Sequence, residues 1–497
     1  MTNMKGIGID FGTTNSIAAV FSSETEKIRI LTDKRTNLPH PSVVWYRGEN
    51  IIVGREAKMN INTYAEVSGN HFERSIKRNL GKGYKASVLS EHKAAHEIAA
   101  EIFRYIRQQA ADEYHVEINE AVVTIPVKFK GFARRELRKA AAAAGIHIKT
   151  FVHEPFAAVV SYCHDARRRL KELEGTNILV FDWGGGTLDI TLARNEKGCI
   201  TEVATGGLED IAGDHFDEKI RKHVEAIFLS QNNLSLEILS VCHPKTKDRA
   251  KIECERAKIA LSSKDKDAVK VANFLQYKNR NLDLDISIDR SEFESLVEAD
   301  IQAALHQLDK VLEEANLTSS EVDLVLMIGG SSKIPRICTE MQKRFGARLI
   351  NVDNADTIIA EGAAIIAEKG WQPFLSKPIN IVLSDGTLYT VFQEGTVLLP
   401  QTCRKEVTMF CTDNRDGEAR LIVAEQQRIG DSSSIAMKKV VNIPVNRDLR
   451  QPYFPERVYV RFQVDEDLVL AIQGHSAIER NVQRDEIFDL CFGLRVS

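Results

Sequence analysis

The sequence predicts a two-part α/β fold over residues 1–370, followed by a small all-β unit over residues 380–497. Three observations support this prediction. Short apolar runs with strand character alternate with longer segments of helical period as far as residue 370. One strand–turn–strand pattern occurs in each half of that region. Beyond residue 380, apolar and polar residues alternate over short runs instead.

The overall composition excludes several classes of protein. The chain has 497 residues, and 66 Lys and Arg against 70 Asp and Glu leave a net charge of −4. This near balance argues against a surface that mainly binds nucleic acid. No run approaches the ~20 consecutive apolar residues of a membrane-spanning helix. None of the 8 cysteines forms a C-x-x-C pair, so we expect reduced thiols in a cytoplasmic protein.

Periodicity predicts the helices of the α/β region and its end. Ile98, Ile102 and Ile106 recur every four residues within 92–114, which is the stripe of an amphipathic helix. The Ala-rich segment 132–144 predicts another helix, which stops at Gly145. Two prolines interrupt the helical pattern and predict a linker at 371–379. We place lobe I of the α/β region at about 1–170 and lobe II at about 171–370.

Alternation predicts the strands of the C-terminal unit. Val458, Val460 and Phe462 alternate with polar residues, and the alternation resumes after an acidic turn. The dipeptide at 385–386, Asp-Gly, predicts a hairpin turn. These features together predict a small β-sandwich over 380–497.

The most informative feature is the strand–turn–strand pattern that occurs twice. In segment 6–16, an apolar strand reaches Asp10 and turns through glycine and hydroxyl residues. Segment 178–190 repeats the pattern around Asp182. Each copy predicts a β-hairpin.

Each hairpin turn has the chemistry of a phosphate site. Glycines let backbone N–H groups approach an anion, and threonine hydroxyls add donors. The carboxylates at the strand ends need a cation between themselves and a phosphate. Hydrated Mg²⁺ suits this position, held largely through waters by Asp10, Asp182 and Asp189. For either copy alone, a glycine-rich hairpin with ordinary turn acids is the alternative.

A third glycine turn fits the same kind of site. Segment 329–335 follows the apolar run 324–328 and leads into a predicted helix. Such a turn can accept phosphate or let a nucleoside lie against the backbone. Taken alone, it also fits an ordinary connection from strand to helix.

Taken in order, six segments resemble the motifs of the seventy-kilodalton heat-shock chaperones of the DnaK type: 9–16, 153–158, 181–189, 255–258, 329–335 and 361–364. That family belongs to the actin and sugar-kinase ATPase superfamily. The resemblance covers residues 5 to about 370 and is weak beyond 380. It implies a two-lobed actin-like ATPase domain that binds ATP or ADP in its cleft. It also implies a small all-β sandwich domain that binds unfolded or extended polypeptide. The chain departs from the family in that no long helical segment follows Gly474, so we expect this domain to lack the family's helical lid.

The resemblance implies a role for each matching residue near the phosphates. Lys77 would position the γ-phosphate and the attacking water, and Glu154 would link that water and the metal to the interlobe switch. Mg²⁺ and K⁺ are implied at Asp10, Asp182 and Asp189, and Thr187 joins the catalytic set. The other implied phosphate contacts are glycine and polar residues of the turns: Gly12, Thr13, Thr14, Asn15, Gly184, Gly185, Gly186 and Gly213.

At the nucleoside end, the implied contacts are Glu255, Lys258, Ser262, Gly329, Gly330, Ser331, Lys333 and Asp356. The chain departs here from the family, which usually has arginines on either side of the adenine. Ile259 follows Lys258, and Lys333 stands where the second arginine is expected. Loss of each stacked cation costs roughly 0.5–2 kcal/mol, so we expect weaker nucleotide binding.

The resemblance also bears on signalling and partners. Pro126 and Arg134 match the proline and arginine that pass the nucleotide state toward the linker. A J-domain co-chaperone and a nucleotide exchange factor are implied partners, although Thr150 and the proline-bearing linker depart from the family pattern. We expect neither nucleic acid nor membrane as a partner.

Three functions are compatible with these residues. Retention of Lys77, Glu154, Asp182 and Thr187 favours ATP hydrolysis coupled to polypeptide binding. The altered linker favours a nucleotide-gated module that acts as a co-chaperone or exchange factor, with incidental turnover. A small-molecule kinase of the same superfamily would require a catalytic Asp and a sugar-sized pocket in the cleft.

Overall fold

The computed structural model describes residues 6–64, 67–165, 170–241, 244–352, 354–400, 402–429, 432–447 and 455–496. The first part of the chain forms these strands and helices: β1 (Gly6–Phe11), β2 (Asn15–Ser22), β3 (Lys27–Leu31), β4 (His40–Pro41), β5 (Val43–Arg47), β6 (Asn50–Val53), α1 (Arg55–Tyr64), β7 (Asn70–Arg74), β8 (Lys85–Val88), β9 (Glu91–Ala94), α2 (Ala95–Tyr114), β10 (Glu120–Ile125), α3 (Gly131–Ala143), β11 (His147–His153) and α4 (Glu154–Asp165). The helices predicted at 92–114 and 132–144 correspond to α2 and α3.

The second part continues with these elements: β12 (Asn177–Trp183), β13 (Thr187–Glu196), β14 (Cys199–Glu209), α5 (Gly213–Gln231), α6 (Pro244–Leu261), β15 (Lys266–Tyr277), β16 (Arg280–Asp289), α7 (Arg290–Glu314), β17 (Leu324–Ile328), α8 (Pro335–Phe345), β18 (Leu349–Asn351), α9 (Ile358–Lys369) and β19 (Gln372–Leu375). The last part contains only strands among its described residues: β20 (Ile379–Val382), β21 (Leu388–Phe392), β22 (Arg404–Cys411), β23 (Glu418–Ile429), β24 (Ser432–Pro444), β25 (Glu456–Val464), β26 (Leu470–Ser476), β27 (Gln483–Ile487) and β28 (Phe492–Arg495).

Two large sheets share one topology. The first runs β11-β10-β1-β2-β3, and the second contains β18-β17-β12-β13-β14 in the same sense. In each sheet, the first three strands in chain order are antiparallel, and the first two of them form the hairpin. Two later strands extend the sheet on the other side of the first strand and run parallel to it. Both predicted hairpins are therefore confirmed, and they occupy equivalent positions. This mixed α/β architecture is consistent with a two-lobed actin-like fold.

Two helices cross between the sheets and bring the hairpins together. α4 and α9 meet where Gly362 faces the carbonyl of Ala157, and the lack of a Cβ at Gly362 permits this approach. The hydroxyl of Ser161 donates to Glu361 Oε2 at 3.1 Å in the same interface. α9 also packs on β1, since a Cβ at Gly6 would lie 2.5 Å from the carbonyl of Ala364. The second half of the α/β region thus packs directly on the first.

The C-terminal strands form two four-stranded antiparallel sheets. Their orders are β21-β20-β23-β24 and β22-β25-β26-β27. The predicted turn at 385–386 joins β20 to β21, with Gly386 at a φ of 80°. Val423 and Phe462 are fully buried, and they belong to a core that continues into the first sheet. Phe488 stacks on Phe132 of α3 with ring centroids 3.6 Å apart.

Two short strands lie where the predicted boundaries do not place them. β19 falls within the predicted linker, and β28 follows the C-terminal sheets, yet both belong to the second large sheet in the order β14-β28-β19. Leu494 of β28 pairs with Ile200 of β14 on one side and with Pro373 of β19 on the other. β19 ends the strand order of this sheet, and such an edge strand tolerates a proline. On its outer side it bonds to residues 395–398, where the N–H of Leu398 donates to the carbonyl of Pro373. Among the described residues, no helix is both long and apolar enough to cross a membrane.

Candidate active site

The turns of the two hairpins face each other across a cleft. A Cβ at Gly185 would lie 2.6 Å from Thr14 Oγ1, and one at Gly186 would lie 3.2 Å from Thr13 Cγ2. Only glycine allows the turns to come this close. A cavity of about 170 Å³ opens here and is lined by both turns. The structure thus brings together the residues that the sequence predicts at the two phosphate turns.

Four carboxylates converge at the floor of this cavity. Asp10 ends β1, Asp182 and Asp189 form a cross-strand pair in the second hairpin, and Glu154 begins α4. Burial raises the pKa of Asp10 to about 6, and the charge of Glu154 adds to the effect. The same two causes raise the pKa of Asp189 to about 6 and hold that of Asp182 well above its usual value. The carboxylates therefore repel one another, and a cation would relieve this.

Two threonines fix the orientation of these acids. The hydroxyl of Thr124 donates to Asp10 Oδ1 at 3.0 Å, and that of Thr187 donates to Asp189 Oδ2 at 2.8 Å. Both bonds stabilise the ionised carboxylate and lower its pKa. Thr187 therefore supports an acid in this structure, in addition to the phosphate contact that the resemblance implies.

Lys77 is the basic side chain closest to the acids. It lies in a short 3-10 helix, Ile76–Asn79, and its Nζ is 2.7 Å from Glu154 Oε1. Attraction to Glu154 and Asp10 outweighs burial and raises the pKa of Lys77. The lysine therefore stays charged beside the four acids.

The acids fit a hydrated metal ion better than a directly ligated one. Among the described residues, no three His, Cys, Asp or Glu side chains are placed to hold one ion directly. Mg²⁺ keeps several waters when it binds, and it commonly takes one or two carboxylates together with substrate phosphates. Asp10, Asp182 and Asp189 could hold such an ion through its waters.

The third glycine turn closes the cavity from the side. Gly329 has a φ of 79°, and a Cβ there would lie 2.5 Å from Asp182 Oδ1. Ser331 donates from its hydroxyl to the carbonyl of Gly184 at 2.8 Å, and the backbone N–H of Gly213 donates to the same carbonyl at 3.2 Å. The predicted helix begins at Pro335 as α8. Segments from three places in the chain thus meet at one turn.

The four charged residues predicted at the nucleoside end all form ion pairs. Glu255 Oε1 lies 2.9 Å from Lys58 Nζ, and Lys258 Nζ lies 2.7 Å from Asp217 Oδ1. Lys333 and Asp356 also form an ion pair, with 3.1 Å between Nζ and Oδ2. Gly330 and Asp356 line the cavity around the acids, whereas the residues that line it among those described do not include Ser262 or Lys333. Ile259, which replaces an expected arginine, is 63% exposed.

Sequence reasoning missed several residues of the site. Arg78 connects the hairpin turn to the rest of the cleft: it donates to the carbonyl of Gly186, and its Nη1 lies 2.9 Å from Asp210 Oδ1. Its position beside Lys77 was the available signal. Thr124 could be found only from the register of β10 beside β1, where Val123 pairs with Ile9.

Helix α3 connects this part of the molecule to the C-terminal sheets. The guanidinium of Arg134 donates to the carbonyls of Asp467, Leu468 and Phe488, at 2.6, 3.2 and 3.0 Å. Its burial lowers its pKa to about 10. Arg135 donates to Glu486 from both Nη atoms. The residue that the resemblance links to signalling thus contacts the C-terminal region directly.

Two sheets of one topology, with facing phosphate-type turns above acids and a lysine, define a two-lobed nucleotide-binding protein. A model of the Hsp70 protein family matches residues 6–488. The chain therefore belongs to the Hsp70 family. Members of this family are ATPases that use ATP or ADP with Mg²⁺ and generally bind unfolded polypeptides. The expected resemblance is confirmed, and it extends into the C-terminal strands.

Proposed function

We propose that the protein is an ATP-dependent chaperone-type protein, which hydrolyses ATP in the cleft and couples this to polypeptide binding by its C-terminal β-sandwich. The observation that carries the proposal is the buried pair of Lys77 and Glu154 beneath the two facing turns. A cation and a carboxylate at the phosphate end can hold the γ-phosphate and orient a water. Mg²⁺ would neutralise phosphate charge in the same place, and K⁺ is proposed as a further ion.

The chemical step assigns a part to each group of residues. Backbone N–H groups and hydroxyls of the turns at 12–15 and 184–187 hold the phosphates. Glu154 accepts a hydrogen bond from the water that attacks the γ-phosphorus, and Lys77 stabilises the charge on the terminal oxygens. The bond from the γ-phosphorus to its bridging oxygen breaks, ADP keeps that oxygen, and hydrogen phosphate and a proton leave.

Coupling to polypeptide is proposed to pass through helix α3. This helix begins six residues after the end of β10, which carries Thr124, and its arginines contact the turn at 465–468. A shift of the β10 end on nucleotide binding would therefore reach the C-terminal sheets. The rival function, a nucleotide-gated co-chaperone or exchange factor, keeps the same contacts without requiring turnover. A J-domain protein and an exchange factor are proposed partners, and the cytoplasm is the proposed location.

Turnover of the full chain tests this proposal. We expect Mg²⁺-dependent release of phosphate from ATP, and a change in its rate when unfolded polypeptide is added. Glu154→Gln keeps the side-chain shape but should lower turnover at least about tenfold. Glu24→Gln, at an exposed turn, is the matched control. If ATP binds but neither Mg²⁺ nor Glu154 affects turnover, the binding-module function replaces the ATPase.

A further inference from the structure

A second cavity lies beside the candidate active site. Its volume is about 560 Å³, and we call it the lower cavity. Thr13, Lys77, Thr187 and Asp189 line it and also line the cavity around the acids. The two cavities therefore meet at the residues expected to face the γ-phosphate. The third glycine turn lines only the first cavity.

The lower cavity carries unpaired positive charge. Lys82, Lys128 and Lys130 line it, and none of them forms an ion pair with another described residue. Three carboxylates, Asp189, Glu209 and Asp210, line the cavity as well, against five basic side chains, and Asp210 is paired with Arg78. An anion that enters the cavity would therefore meet free ammonium groups on one side.

The turn that carries two of these lysines is held in place. The backbone N–H of Phe129 donates to the carbonyl of Pro126 at 3.0 Å, and Arg134 Nη1 donates to the carbonyl of Phe129 at 2.6 Å. The backbone N–H of Gly131, which follows Lys130, donates to the carbonyl of Phe488 at 3.0 Å. Lys128 and Lys130 thus project from a fixed backbone. Part of the wall is formed by apolar side chains: Leu80, Phe129, Phe132 and Leu208. They lower the local dielectric constant, which strengthens the attraction between the lysines and an anion.

Arg78 stands at the passage between the two cavities. It bonds to the carbonyl of Gly186 at the tip of the second phosphate turn, and it lines the lower cavity. Its ion-pair partner Asp210 is 82% exposed, so this pair is weak. Arg78 can therefore exchange Asp210 for a passing anion at little cost.

We propose that the lower cavity is a binding site for inorganic phosphate, and that phosphate split from ATP leaves the protein through it. This inference rests on the proposed ATPase function. Inorganic phosphate is a mixture of its monoanion and dianion near neutral pH and therefore carries less charge than a phosphate monoester, but it is still strongly attracted by lysines. Lys82, Lys128 and Lys130 attract it away from Asp10, Glu154 and Asp182, which line the first cavity and not the lower one. Phosphate can then leave while ADP remains on the other side of the hairpin turns.

Binding is tested without any turnover. The full chain is acetylated briefly with an amine-reactive reagent in potassium phosphate or in potassium chloride of equal ionic strength, and each lysine is followed by mass spectrometry. We expect phosphate to slow acetylation of Lys128 and Lys130 at least about threefold. Lys85 and Lys139 are exposed lysines outside the cavity and should react equally in both salts. If each of the four lysines is acetylated at the same rate in phosphate as in chloride, the proposal is overturned.

The exit role is tested by single-turnover kinetics. Acid quench measures cleavage of ATP, and a fluorescent phosphate sensor measures release. In the double variant that combines Lys128→Gln with Lys130→Gln, the ratio of the phosphate-release rate to the ATP-cleavage rate should fall about fivefold, because the exit path loses its attraction for phosphate. Lys85→Gln with Lys139→Gln removes the same charge elsewhere and should leave the ratio as in the wild type.

The outcomes separate the two proposals. An unchanged ratio in the cavity variant overturns the exit role, even where phosphate protects the lysines. If the wild type cleaves no ATP while phosphate still protects Lys128 and Lys130, the proposed ATPase function fails. The cavity then stands as a site for phosphate taken from solution.

Discussion

Lys77 Nζ lies 2.7 Å from Glu154 Oε1, and the two side chains are only 7% and 11% exposed. Removing one member of such a buried pair leaves the other charge without a partner, which costs about 3–5 kcal/mol. The pair also joins two elements that are distant in sequence, a 3-10 helix and the start of α4. A bound γ-phosphate would compete with Glu154 for the ammonium group. Nucleotide binding and the position of α4 should therefore be linked.

The first prediction concerns Lys77→Met, which removes the charge but keeps most of the side-chain volume. Turnover should fall at least about 100-fold, because the terminal phosphate oxygens lose their buried cation. Nucleotide affinity should change less than about tenfold, since the turn N–H groups remain. Equilibrium binding of ATP and phosphate release measure the two effects, with Lys85→Met as the control. Turnover equal to that of the wild type would contradict the role of Lys77.

The second prediction concerns the pH dependence of stability without metal. Asp189 has a folded pKa of about 6 against a usual 3.8, so the folded state binds more protons between these values. Its ionisation therefore lowers stability as the pH rises through about 6, and this penalty is absent below about 4. Asp189→Asn keeps an acceptor for the Thr187 hydroxyl and removes the penalty. Because Asp189 lines the cavity and is only partly buried, we expect a gain of about 1–2 kcal/mol at pH 7.5.

Urea unfolding at pH 7.5 and pH 5 measures this effect. The advantage of Asp189→Asn should fall to about half at pH 5 and approach zero below about pH 4, and Mg²⁺ should stabilise the wild type more than the variant. Asp112→Asn, an exposed acid on α2, should show neither effect. If the difference in unfolding free energy between Asp189→Asn and the wild type does not change with pH, the raised pKa of Asp189 is refuted.

The features that could be predicted from sequence are local ones. Each phosphate turn has its glycines, threonines and aspartate within a few residues, so the hairpins at Asp10 and Asp182 follow from short-range chemistry. The pair of Lys58 and Glu255 joins residues 197 positions apart, and no local pattern reveals it. The sequence also does not predict that β28 joins the second large sheet, because a strand of four residues, 492–495, has no preference for one sheet over another. Its position depends on the open edge of β14, which only the folded chain presents.

The third prediction concerns the contact of α3 with the C-terminal sheets. Arg135 donates to Glu486 from both Nη atoms and to Asp465 Oδ2 at 2.9 Å, and it is 30% exposed. A two-pronged contact of this kind is worth more than a simple surface pair, so Arg135→Ala should cost about 1–2 kcal/mol. Hydrogen exchange should become faster in 465–487 and in α3. Arg104→Ala breaks a surface pair with Glu101 and should leave exchange in 465–487 unchanged; faster exchange in both variants would argue against a specific contact.

The fourth prediction concerns the strand that lies between β14 and β19. A Cβ at Gly493 would lie 2.6 Å from the carbonyl of Ile200 and 2.8 Å from the ring of Phe374, so a larger residue cannot fit while both neighbours keep their places. Gly493→Val should displace β28 and remove its ladder with β19, while the backbone bonds of β19 to residues 395–398 remain. Trypsin should then cut after the exposed Lys369, just before β19, about ten times faster than in the wild type. Thr408→Val adds the same side chain at an exposed position of β22 and should not change cleavage. Equal cleavage in all three proteins would mean that β19 is held in the sheet without β28.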